Sequence, residues 1–140
     1  MTPAQREGML NDLLAGTQQI MGTNANNEIN FENLNNMAAR GAYSRGRITI
    51  NSQQLDAGNY DVLRTVVHEV RHAYQQDSTK PFSSNTVSKE TKKQWKSPYV
   101  SPDPQNMAPY LSQPVEWDAR RFAGQPDSMD GLTPVYPGSW

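Results

Sequence analysis

One helical stretch, NYDVLRTVVHEVRHAYQQD, constrains this chain more than any other. Its hydrophobic residues recur at the helical period, which predicts a helix from about Tyr60 to Gln76. The expected buried stripe is formed by Leu63, Val67, Val70 and Tyr74. At about 100° per residue, His68 and His72 fall close together on the side nearly opposite that stripe. One face of this helix is therefore expected to pack, while the other presents two imidazoles.

The residues His68-Glu69-Val70-Arg71-His72 form an HExxH pattern. Two histidines four residues apart stand one helical turn apart on one face, so both imidazoles can reach one ion at about 2.1 Å. Glu69 is offset by one position, where its carboxylate can accept a proton from the water that a metal activates. The pattern predicts a zinc site with His68 and His72 as ligands and Glu69 as general base.

A catalytic zinc usually has three protein ligands, so one more side chain is needed. The chain has no cysteine and only two histidines, which leaves a carboxylate. Glu116, near the start of a helix expected from Pro114 to Ala123, is the preferred third ligand. Asp118 is its competitor, but lies about 200° further around that helix, so the two cannot both face the ion. Three other carboxylates remain open as alternatives: Asp61, Asp77 and Glu90.

The remaining segments predict an α+β fold. Thr2, Pro3 and Gln5 are typical of a capped helix start, and the helix from Pro3 to Gln19 has an expected apolar face of Met9, Leu10, Leu13 and Leu14. Alternation predicts a short strand at 28–31 and a hairpin whose strands are 42–44 and 47–51. The polar segment 77–113 predicts a long loop with one exposed helix that borders a cleft, and the last residues, with Tyr136 and Trp140, are expected to wrap the surface.

Size and charge narrow the classes of protein further. The 140 residues suit a single domain, 1–140, with a small core, because hydrophobic residues are only 35% of the chain. The net charge of −1 offers no broad basic field, so we expect neither nucleic acid nor a membrane surface as a partner. The lysines near Trp95 are expected to form a solvated face. No apolar run is long enough to span a bilayer and no signal peptide is evident, so we expect a soluble chain of unspecified compartment.

HEVRH after the strand RITIN, followed by a helix with EWDA, resembles the gluzincin branch of the zincin metallopeptidases. The phrase YLSQPVEWDARRFAG also resembles compact metallopeptidase domains of bacterial polymorphic toxins and secreted effectors. The resemblance covers roughly residues 46–124. It implies a small zincin-like fold, with His68, His72 and Glu116 as zinc ligands and Glu69 as general base. It further implies that Arg47 to Asn51 is an edge strand that pairs with an extended substrate.

Peptide hydrolysis also needs a group that stabilises the developing oxyanion. Tyr110, shortly before Glu116, is the first candidate. Arg120, one turn after Glu116, could instead hold a ligand carboxylate or meet the oxyanion. Arg71 is expected near the surface beside the site.

The motif residues predict a zinc metallopeptidase that acts on proteins or peptides. The resemblance implies a bacterial toxin or effector domain, with an immunity or inhibitor protein as a further partner. Two alternatives stay open. One is a zinc-stabilised binding domain without turnover, although a structural zinc is usually closed by four protein ligands. The other is a zinc amidase acting on peptidoglycan.

Overall fold

The computed structural model describes residues 2–21, 29–34, 40–44, 46–55 and 61–125. Within these ranges the chain is an α+β structure with five α-helices and a mixed three-stranded sheet, as predicted. The carboxy-terminal segment that was expected to wrap the surface lies outside the described residues. None of the described helices combines the length and the apolar composition that a membrane crossing requires.

The first helix, α1, spans Pro3–Met21 and begins as its capping residues predict. The Gln5 backbone N–H donates to the Thr2 hydroxyl oxygen (3.2 Å), and the Thr2 N–H donates to Gln5 Oε1 (2.8 Å). Leu10 and Leu14 are buried, and Leu13 packs against the core. Met9 was expected on the same face but is 39% exposed, because α1 is covered along a narrower stripe than its apolar residues span.

The sheet consists of β1 (Ile29–Glu32), β2 (Gly41–Ser44) and β3 (Arg47–Asn51). Strands β2 and β3 pair antiparallel, which confirms the predicted hairpin, and Gly46 in the connecting turn has a φ of 83° that favours glycine. At the start of β2 a Cβ on Gly41 would lie 2.8 Å from Thr65 Cγ2. The backbone of β2 therefore approaches the following helix closely.

The strand order β1-β3-β2 corrects one expectation. β3 was expected at an edge, yet it lies in the centre because β1 pairs with it in parallel, with Ile29 opposite Ile48. Both sides of β3 are hydrogen-bonded, so it cannot accept an additional strand. Of the three described strands, β1 and β2 form the edges.

The helix with the HExxH pattern, α2, spans Asp61–Ser78 and follows a 3₁₀ helix at Ser52–Leu55. Its buried apolar residues are Val62, Val66, Val70 and Ala73. Of the predicted stripe only Val70 is among them, and its other three residues are partly buried. The stripe is rotated because α2 packs against α1 and the sheet on one side and against later helices on the other. The main core contains Leu10, Leu14, Ile29, Ile48, Ile50, Val62, Val66 and Val70.

The polar segment after α2 contains two short helices rather than one. The predicted exposed helix is α3, Lys89–Trp95, capped by the Ser88 side chain and without buried residues. Helix α4, Ala108–Ser112, was not predicted. Helix α5 spans Pro114–Phe122 and is followed by Gly124 at a φ of 67°, as its Pro and Gly residues predict.

Candidate metal centre

Two imidazoles project from α2 toward α5. His68 and His72 are one helical turn apart, and their Nε2 atoms lie 3.2 Å from one another. The rings meet edge to face, with centroids 4.8 Å apart. Their side chains are only 12% and 13% exposed. The helix thus aims one nitrogen of each ring at the same point, as the spacing of four residues requires.

Glu116 in the first turn of α5 meets both imidazoles. Its Oε2 lies 3.0 Å from His68 Nε2 and its Oε1 lies 3.2 Å from His72 Nε2. Gln113 is extended because it precedes Pro114, and Pro114 starts the helix that directs Glu116 toward α2. The structure therefore brings the three predicted ligands together.

The other carboxylates considered as ligands are engaged elsewhere or exposed. Asp118 accepts two hydrogen bonds from the Arg71 guanidinium, at 2.8 and 3.2 Å. Asp77 lies 3.8 Å from Lys80 Nζ and accepts from Asn85, and Glu90 is exposed on α3. The Asp61 side chain lies outside the described part of the chain. The geometry thus favours Glu116 over Asp118, as the helical angle predicted.

The charges of Glu116 and His72 stabilise one another. Burial alone would raise the pKa of Glu116, but the His72 charge and hydrogen bonds from both imidazoles lower it well below its usual range. Burial alone would lower the pKa of His72, but the Glu116 charge and hydrogen bond raise it to about 9. Without a metal, His72 is therefore an imidazolium at neutral pH.

Two glutamines hold the outer nitrogens of the imidazoles. The Gln75 amide NH₂ donates to the Val115 carbonyl (2.9 Å) and to Asp118 Oδ2 (2.8 Å). Since both hydrogens have acceptors, Gln75 Oε1 is the atom that meets His72 Nδ1, at 2.8 Å. Oε1 can only accept, so His72 Nδ1 carries the proton and Nε2 keeps its lone pair for a metal once the second proton is lost. Gln125 Oε1 lies 2.7 Å from His68 Nδ1.

Arg71 anchors this arrangement from outside. Its side chain is 17% exposed, and its guanidinium lies 4.4, 4.6 and 5.6 Å from the ring centroids of Phe122, Tyr74 and Trp95. It was expected near the surface beside the site, and it is instead enclosed by rings from three helices. Arg71 thus joins α2, α3 and α5 around Asp118.

Glu69 is buried between the imidazoles and a cavity. Burial raises its pKa, and the nearby Glu116 charge adds to this effect, while the two imidazoles lower the pKa. A raised pKa suits a carboxylate that must take up and release a proton near neutral pH. The position beside the triad is the one that the sequence pattern predicts for a proton acceptor.

A second tyrosine stands between Tyr110 and the triad. The Tyr99 hydroxyl donates to Glu116 Oε1 (3.1 Å), and Tyr110 in turn hydrogen-bonds to Tyr99, with ring centroids 6.3 Å apart. Burial and the Glu116 charge raise the pKa of both phenols, so both stay protonated at neutral pH. Buried Gln113 exchanges two hydrogen bonds with the Val100 backbone, which fixes Tyr99 in place. Sequence reasoning missed Tyr99 because it lies in an irregular segment without periodicity.

Arg120, the other candidate for the oxyanion, is buried and donates to the Leu111 carbonyl. This contact fastens α5 to the end of α4. It gives Arg120 a positioning role in the fold, and its contact with an oxyanion stays a prediction.

The three ligand atoms fit a small metal ion. Two ligands at about 2.1 Å from a tetrahedral zinc lie about 3.4 Å apart. The separations of 3.0 to 3.2 Å reach a different oxygen of Glu116 for each imidazole. With one atom taken from each residue, the three candidate ligand atoms lie within 4.8 Å of one another, so small side-chain shifts would bring them to this spacing. Two nitrogens and one carboxylate form a donor set that suits zinc and other divalent transition metals.

The triad opens into a cavity of about 430 Å³. Glu69, His72 and Glu116 lie at one end, strand β2 forms one wall, and the irregular segment with Tyr99 forms another. This confirms that the polar segment after α2 borders a cleft.

Comparison of the chain with protein-family models, with curated proteins and with solved structures finds no match.

Proposed function

We propose that this protein is a zinc-dependent metallopeptidase of the zincin type. The observation that carries the proposal is the convergence of His68, His72 and Glu116 within hydrogen-bonding distance, beside Glu69 and at the end of a cavity. Three ligands leave a fourth position for water or substrate, which is the arrangement of catalytic rather than structural zinc. A purely structural site would need neither the cavity nor an acid at position 69.

Each residue has a role in the proposed reaction. When bound, zinc lowers the pKa of a water molecule and polarises the substrate carbonyl. Glu69 takes the proton of the attacking water and passes it to the leaving amine. Tyr99 points its hydroxyl at the Glu116 side of the triad, with Tyr110 behind it, so this pair supports donation to the developing oxyanion. Gln75 and Gln125 keep both imidazoles turned toward the ion.

An extended substrate would pair with β2 rather than with β3. Strand β2 is an edge of the described sheet, and Gly41, Ala42 and Tyr43 line the cavity. Backbone pairing there would lay the substrate beside the metal centre. This position replaces the one that the resemblance implied.

Zinc content and turnover test the proposal together. Wild-type protein should bind about one zinc per chain, and a His68→Ala, His72→Ala double variant should bind none. Glu69→Gln should keep the zinc and lose peptide cleavage by at least about 100-fold, measured by mass spectrometry of a digested peptide mixture. Absence of zinc from the wild type after incubation with zinc would overturn the proposal, as would full cleavage by pure Glu69→Gln protein.

The resemblance to effector domains extends the proposal to toxicity. Wild-type protein produced inside bacterial cells should slow their growth, and Glu69→Gln protein at the same level should not. Equal growth of both cultures would contradict a toxin role and leave the peptidase proposal standing.

A further inference from the structure

Four aromatic side chains line the cavity. Rings reach it from strand β2, from helices α3 and α4 and from the irregular segment between them: Tyr43, Trp95, Tyr99 and Tyr110. Tyr74 packs edge to face against Trp95, with ring centroids 6.2 Å apart. Aromatic walls favour flat, apolar side chains, because ring pairs add attraction beyond the area they bury.

The cavity continues along α2, away from the triad. His72, Gln76 and Thr79 follow one face of the helix at spacings of four and three residues, and all three line the cavity. At 1.5 Å per residue, this row extends about 10 Å from the metal centre. The length and the volume of about 430 Å³ suffice for one large side chain and the backbone that carries it.

Charge is confined to one end of the cavity. Its charged lining residues are Glu69, His72 and Glu116, all at the triad, and the rest of its described lining is uncharged. Away from the triad, a charged side chain in the cavity would give up part of its hydration without meeting an opposite charge, which is unfavourable. Gln76 accepts a hydrogen bond from the Tyr43 hydroxyl, so its NH₂ group is the end that would meet an oxygen atom of a ligand.

We propose that this cavity binds one uncharged aromatic side chain of the substrate, phenylalanine or tyrosine, next to the bond that is cleaved, and excludes acidic and basic side chains. The inference rests on the proposed peptidase function, since the metal centre places the reacting bond. It names Gln76 as the residue that sets the charge preference.

Amino-acid hydroxamates test the cavity without turnover. Their hydroxamate group chelates zinc, and their side chain would then enter the cavity. Titration calorimetry would use zinc-loaded Glu69→Gln protein and the hydroxamates of phenylalanine, tyrosine, lysine and glutamate. The two aromatic compounds should bind at least about 10-fold more tightly than the charged ones, because a charge that loses hydration without gaining a partner is disfavoured. Equal affinities would overturn the proposed selectivity.

A charge substitution at Gln76 provides a second test of the proposal. Gln76→Glu, made in the Glu69→Gln protein, keeps the acceptor for Tyr43 and adds an anion, so the penalty for the lysine hydroxamate should shrink by about fivefold. The matched control is Gln19→Glu, on the exposed surface of α1, which should change no affinity. An unchanged lysine penalty in Gln76→Glu would overturn the role of Gln76.

Cleavage-site profiling of a peptide mixture separates this inference from the proposed function. Cleavage with aromatic residues enriched at one position beside the broken bond supports both. Cleavage without any preference overturns the selectivity alone. Selective hydroxamate binding with no cleavage of any peptide supports the cavity and overturns the peptidase function.

Discussion

Helix α2 separates two halves of the described structure that are built from different chemistry. We call α1, the sheet and the Val62, Val66 and Val70 face of α2 the apolar half. The opposite side, with α3, α4, α5 and the two histidines, is the polar half. The apolar half is held by packed aliphatic side chains. The polar half is held by hydrogen bonds among buried groups that include Gln75, Gln113 and Glu116.

This difference between the two halves predicts where a bound metal would contribute stability. Aliphatic packing needs no ligand, whereas buried carboxylates and imidazoles are costly unless each meets a partner. We expect zinc to stabilise mainly the polar half, and we expect the apolar half to stay folded when zinc is lost. Five predictions test this division.

The largest effect should follow from Glu116→Gln, which removes one ligand charge. Structural zinc sites contribute about 10–16 kcal/mol in total, so loss of one ligand should weaken zinc binding by about 1000-fold, or about 4 kcal/mol. Competition with a fluorescent chelator measures the affinity. Glu90→Gln, the same change at an exposed site on α3, serves as control. An affinity within about threefold of wild type would remove Glu116 from the ligand set.

Leu10→Ala tests the other half. Leu10 is fully buried, so its truncation should lower the free energy of unfolding by about 3 kcal/mol, measured by urea denaturation. Leu13→Ala, on the same helix but only partly buried, should cost less than half as much. Zinc affinity should stay within about twofold in both variants. A parallel loss of zinc affinity would show that the halves are coupled.

Asp118→Asn tests the outer layer of the polar half. Asp118 fixes the Gln75 amide, which orients His72, so the substitution should reduce zinc affinity by about 10-fold. The fold should persist, because the aromatic rings around Arg71 remain. Asp12→Asn, exposed on α1, is the matched control. Loss of secondary structure in Asp118→Asn would mean that the residue serves the fold rather than the ligand.

Zinc affinity should also depend on pH, by about tenfold per pH unit. His72 has a folded pKa of about 9 against 6.5 as its ordinary value, so zinc must displace its proton. Affinity should therefore rise with pH until about 9, with close to one proton released from His72 at pH 7, measurable by calorimetry in buffers of different ionisation enthalpy.

The free energy of unfolding of the metal-free protein should instead fall as the pH rises toward 9. The raised pKa of His72 contributes stability below pH 6.5 that is lost as the pH rises through about 9. The lowered pKa of Glu116 contributes stability above pH 4.5 that is lost as the pH falls. The titration of His72 and Glu116 should thus make the metal-free protein most stable between about pH 4.5 and 6.5. A flat profile would contradict the pairing.

Local patterns allowed much of this to be predicted. The capping pair Thr2 and Gln5, the hairpin turn at Gly46 and the Pro114 helix start are all decided by neighbours in the chain. The alignment of His68 with His72 is local as well. Glu116 could be predicted because the chain has no cysteine and no third histidine, so the third ligand had to be a carboxylate.

The remaining features depend on contacts between distant residues. The central place of β3 depends on β1, whose residues pair with positions 19 further along the chain. The rotation of the buried stripe on α2 depends on which elements cover each side. Tyr99 and Gln125 reach the site from segments without regular structure, so no periodicity could indicate them. Zinc binding and peptidase activity stay predictions until they are measured.

The close approach of Gly41 to Thr65 has a consequence for the width of the cavity. Thr65 is buried and β-branched, so it cannot turn aside for a Cβ placed 2.8 Å from its Cγ2. Even an alanine at position 41 would have to push β2, one wall of the cavity, away from α2. The absence of a side chain at position 41 therefore sets how closely the sheet approaches α2 at this wall of the cavity.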